Sequence, residues 1–67
     1  MIDLTKFQGI DSEVRVTFTD GTSIVGRIDG VDDEEESELG EIGISFFGRD
    51  GGYFGFGQSE IADISIL

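Results

Sequence analysis

Carboxylates dominate the side chains of this sequence that can do chemistry. Fifteen Asp and Glu stand against four Lys and Arg, a formal net charge of −11, and there is no His or Cys. Eight of the acids fall between positions 29 and 41: Asp29, Asp32, Asp33, Glu34, Glu35, Glu36, Glu38 and Glu41. A block of like charge this dense repels itself and buries nothing, so it reads as a solvated loop at about residues 32–40. Within it, Asp33, Glu34, Glu35 and Glu36 are candidates for docking a basic partner surface, because a focused negative patch steers a positive one. A Ca²⁺ site is the weaker reading. The run lacks the alternating D-x-[DN]-x-[DN]-G spacing that wraps oxygens around the ion, and clustered carboxylates alone bind weakly.

The second group with a chemical handle is aromatic. If Ile42, Ile44 and Phe46 point inward, alternation sends Phe47 outward, and Tyr53 points away from Phe54 and Phe56. Phe47 and Tyr53 flank the turn Arg49-Asp50-Gly51-Gly52, close enough for an exposed cross-strand pair. Aromatics rimmed by polar groups anchor interfaces, so both are partner-binding candidates. The plainer alternative is that they cover a gap in a small core. Gly52-Tyr53-Phe54-Gly55-Phe56-Gly57 is not a phosphate cradle, since the spacing is not G-x-G-x-x-G, no helix follows and no Lys is near.

Without His or Cys, structural zinc, disulfides, thiol nucleophiles and Ser-His triads are excluded. Only carboxylate pairs remain for acid–base work, and so small a domain has no large cleft. The expectation is a non-enzymatic protein with no cofactor and no metal.

The elements that must position these residues read as β. Sixty-seven residues make one domain, residues 1–67. Asp3 precedes Leu4 and Phe7, three apart, with Gly9 beyond, which predicts a short capped helix. Val14, Val16 and Phe18 alternate with Arg15, Thr17 and Thr19. Asp20-Gly21 then predicts a hairpin into Ile24–Val31. Gly26 and Gly30 fall on the Ile24/Ile28 face of that strand, where glycine marks a bulge, a bend or close backbone approach. A third strand runs from Glu41 to Phe46 and a fourth from Tyr53 to Gly57. A single helical turn at Gln58-Ser59-Glu60 leads into a fifth, Ile61–Leu67. The predicted fold is all-β: a small, five-stranded, strongly bent antiparallel SH3-like barrel with a short N-terminal helix.

The stretch Val14-Arg15-Val16-Thr17-Phe18-Thr19-Asp20-Gly21, followed by Val25-Gly26-Arg27-Ile28-Asp29-Gly30-Val31-Asp32, resembles the first motif of the Sm-like (LSm) proteins. Gly26, Ile28 and Asp32 fall at its spacing. The preceding short helix and the closing Ile61–Ile64 strand are also similar. The resemblance implies the small barrel fold. It also implies RNA contact through an Asn shortly after the Asp, and through an Arg-Gly pair before the last strand. Here Asp32 is followed by Asp33-Glu34-Glu35-Glu36-Ser37-Glu38, and Gly57-Gln58 occupies the second position, so neither RNA-contacting motif is matched.

Charge then sorts the partners. Nucleic-acid affinity comes largely from Lys and Arg releasing counterions, and Lys6, Arg15, Arg27 and Arg49 do not offset fifteen acids. The preferred expectation is an acidic, cytoplasmic, monomeric interaction module that binds another protein. An RNA-associated Sm-like protein in a homo-oligomeric ring is the alternative. No apolar run approaches the roughly 20 residues that span a bilayer, so no membrane is expected.

Overall fold

The structure, a computed structural model, describes residues 2–37 and 40–67. Alternation in the first strand produces the expected division of faces. Along β1, Val14–Phe18, Val14 and Val16 are fully buried while Arg15 is exposed. Asp20 shapes the turn that follows, its Oδ1 accepting from Thr22 N at 2.9 Å and from Thr22 Oγ1 at 2.6 Å. Gly21 supplies the left-handed residue, at φ +90°. The chain returns as β2, Ser23–Asp32, antiparallel to β1 with Thr17 opposite Ser23 and Val14 opposite Gly26.

β2 is long because it serves two neighbours. Its first half pairs with β1, and from Gly26 onward it pairs with β3, Gly43–Gly48. Gly26 belongs to both ladders and permits no side chain: a Cβ there would lie 2.0 Å from the Phe47 carbonyl oxygen. Further along, the register shifts between Ile28 and Gly30, leaving Asp29 as the extra residue of a bulge. The bulge resets the alternation, so Val31 packs on the same core as Ile28. Gly30 therefore leaves the face that unbroken alternation would give it.

β4, Tyr53–Gly57, pairs with β3, and β5, Ile61–Ile66, pairs with β1, giving one antiparallel sheet in the order β4-β3-β2-β1-β5. Two 3₁₀ turns complete the chain, Leu4–Phe7 and Gln58–Glu60. The Asp3 carboxylate caps the first by accepting from Thr5 N at 3.1 Å. The sheet curls strongly. Phe18 on β1 and Phe56 on β4 are three strand positions apart, about 14 Å in a flat sheet, yet their ring centroids stand 4.8 Å apart, edge to face. The curl wraps a core of Leu4, Val14, Val16, Ile28, Ile44, Phe46, Ile61 and Ile64.

The acidic stretch does not form one loop. Asp29 and Asp32 belong to β2. Glu41 is half-buried, its carboxylate accepting from Ser59 N at 2.5 Å and Ser59 Oγ at 2.8 Å beneath the second 3₁₀ turn. The third strand accordingly starts at Gly43 rather than Glu41. Residues 33–37 make a turn in which Asp33 Oδ1 accepts from Glu35 N and Glu36 N and the Asp33 carbonyl accepts from Ser37 N. Glu38 and Leu39 lie outside the described residues.

Candidate functional site

The β3–β4 hairpin sorts its aromatics by face. Ile44 opposes Phe56 and Phe46 opposes Phe54 on the inner side, while Phe47 opposes Tyr53 on the outer side. Two hydrogen bonds and one left-handed glycine fix the turn between the strands. Gly48 N donates to Gly52 O at 2.7 Å, Asp50 Oδ1 accepts from Gly52 N at 3.2 Å, and Gly51 takes φ +97°. The outer pair thus projects from a rigid support, with ring centroids 4.6 Å apart and planes tilted by 51°. Phe47 is 46% exposed and Tyr53 58%. Tyr53 Oη donates to Asp29 Oδ2 at 3.4 Å, across the β2 bulge.

The two aromatics form a ridge between two open grooves. On the Phe47 side, a groove of about 400 Å³ is lined by Gly9, Ile10, Asp11, Arg27, Asp29 and Gly30, among others. Arg27 stands opposite Phe47 in the ladder, and its guanidinium donates to the Asp11 carbonyl at 3.2 Å and pairs with the Asp11 carboxylate at 3.5 Å. On the Tyr53 side, a groove of about 490 Å³ is lined by Asp32, Glu36, Ser37, Gly43, Ile44, Ser45, Tyr53 and Gly55. No cation lines it.

Arg49 anchors the hairpin from below. Its Nε donates to Glu13 Oε2 at 3.0 Å and its Nη2 to Glu13 Oε1, a two-pronged contact to the segment preceding β1. Hydrogen bonding from Arg49 holds the Glu13 carboxyl below its ordinary range, and Glu13 raises Arg49 in turn. Among the described residues, Arg27 and Arg49 are therefore engaged with the protein's own carboxylates.

Of the six candidates read from the sequence, the structure brings Phe47 and Tyr53 together and sets Glu36 across a groove from Tyr53. Asp33, Glu34 and Glu35 line a separate shallow hollow beside Ile42. Sequence reasoning missed Asp29, Asp32 and Arg27 as neighbours of the aromatic pair. The glycines of β2 hinted at the bulge that places Asp29 there. Among the described residues, no three His, Cys, Asp or Glu side chains are arranged to hold a metal ion. None of their helices is long and apolar enough to cross a membrane.

No family model, curated protein or solved structure matches the chain.

Proposed function

We propose that this chain is a non-enzymatic acidic interaction module, acting in the cytoplasm as a monomer, that binds another protein through the Phe47–Tyr53 ridge. The carrying observation is the exposed pair itself: two large rings, 46% and 58% exposed and 4.6 Å apart, on a braced hairpin. Exposed rings of this size gain most by being covered, and Phe and Tyr are favoured interface anchors because they bury area at little entropic cost. A net charge of −11 and the carboxylates beside the ridge favour a partner with a basic surface. The same charge disfavours a phosphate backbone.

The test is capture on the immobilised chain, comparing the parent with the Phe47→Ala/Tyr53→Ala double variant at moderate salt. The expected result is at least one basic protein retained by the parent and lost by the variant. Identical retention profiles contradict the proposal.

A second reading keeps the Sm-like resemblance and its homo-oligomeric RNA-associated ring. It is favoured by β4 and β5 standing at the two ends of the strand order, and by Ile66 and Leu67, 58% and 55% exposed, at the end of β5. Against it, each copy would add −11 to a ring with neither RNA-contacting motif. Light scattering at low and moderate salt separates the two readings. A particle near 7.3 kDa fits the module, and one six or seven times heavier fits the ring.

A further inference from the structure

The two grooves beside the aromatic ridge are built from the same parts, and among the described residues only the Phe47 groove contains a cation. Beside Phe47 lie the carboxylates Asp11 and Asp29, with the Arg27 guanidinium among them and paired to Asp11. Beside Tyr53 lie the carboxylates Asp32 and Glu36, and no Lys or Arg lines the space. Among the described residues, neither of these two side chains has a hydrogen-bond or ion-pair partner. The β3 and β4 residues lining the second groove next to Tyr53 are small, Gly43, Ser45 and Gly55, apart from the buried Ile44. Its volume of about 490 Å³ leaves room for a long side chain entering from outside.

We propose that the groove between Tyr53 and the Asp32/Glu36 carboxylates is the subsite for an arginine side chain of a basic partner segment. This rests on the reading of the ridge as a protein-binding surface and specifies what the partner inserts beside it. A guanidinium suits the site better than an ammonium for two reasons. It is the more weakly hydrated cation, so it lies against a Tyr face at lower desolvation cost. Its planar fork also directs several N–H groups at once, enough to reach carboxylates from two different elements. Beside Phe47, Arg27 shows the ionic half of this arrangement, with Asp11 as its acceptor.

Tyr53 is the chain's one tyrosine and there is no Trp, so intrinsic fluorescence reports on the ridge, and the amides of Ser45 and Gly55 assign the response to this groove. The experiment titrates the full chain with a capped Gly-Arg-Gly-Arg-Gly peptide and its Lys counterpart, following Tyr53 emission and the amide shifts of Ser45 and Gly55. The expected result is a response at all three residues, stronger with Arg than with Lys. Asp32→Asn/Glu36→Gln should weaken binding about tenfold. Glu34→Gln/Glu35→Gln, which removes the same charge outside the groove, should weaken it about twofold or less. Equal weakening by both variants, or shifts confined to the Phe47 side, overturns the subsite. A partner whose capture is lost with Phe47→Ala/Tyr53→Ala but kept with Asp32→Asn/Glu36→Gln also overturns it, and leaves the binding module standing.

Discussion

Phe46 and Phe47 are neighbours of the same type, yet one is fully buried and the other 46% exposed. The inner face of the β3–β4 hairpin carries Ile44, Phe46 and Phe56 into the core or against it. The outer face carries Phe47 and Tyr53 over open grooves. The comparison teaches that hydrophobicity does two jobs in this hairpin. On the inner face Phe46 is packed on every side and Phe56 lies half-buried against the core, while Phe54 at the hairpin's end is 37% exposed. Having half of its surface in water, the outer pair contributes far less to folding than its size suggests, and that surplus apolar area is what a partner could bury.

The largest effect is expected on the inner face. Phe46→Ala removes a ring with no exposed surface, a change that costs about 3–5 kcal/mol in a packed core. A domain of this size has roughly that much stability in total. The variant is expected to be largely unfolded at 25 °C by circular dichroism, and a cooperative melt close to the parent's would show that Phe46 is not the centre of the core.

Acid attacks the braces rather than the core. Hydrogen bonds hold three carboxyls below their ordinary range: Asp3 from Thr5, Asp20 from Thr22 and Glu13 from Arg49. A carboxyl depressed in the folded state stabilises it above the unfolded pKa, near pH 4, and that contribution is lost as pH falls through the folded value. The urea midpoint should therefore drop below about pH 4. Asp3 and Asp20 are exposed and Glu13 is half-buried, so the loss is smaller than that of a core ring. A midpoint unchanged from pH 5 to pH 2.5 contradicts these braces.

Salt gives the smallest expected effect. Crowded carboxylates along residues 29–41 repel one another, so screening them stabilises the fold. The melting temperature should rise by a few degrees between low salt and about 0.5 M NaCl. No rise would mean that the acids are already far enough apart.

Much of this division was legible in the sequence, because period-two alternation is a local property. Phe46 inward, Phe47 outward and Tyr53 across from it follow from residue order plus one tight turn. The grooves were not legible. Asp29 and Asp32 reach the aromatic ridge through a bulge between Ile28 and Gly30, and that register is set by pairing with β3 across the whole acidic stretch. Glu41 was misread for the same reason. Its partner Ser59 is 18 residues away, and only the folded chain brings the 3₁₀ turn onto its carboxylate.

The urea unfolding free energy of the Phe47→Ala/Tyr53→Ala double variant measures how far folding rests on the inner face without the outer pair. An exposed cross-strand pair of this kind is worth about 1 kcal/mol, so the double variant should remain folded with at most about 2 kcal/mol lost. A loss equal to that of Phe46→Ala would make the pair a lid over the core and contradict the account.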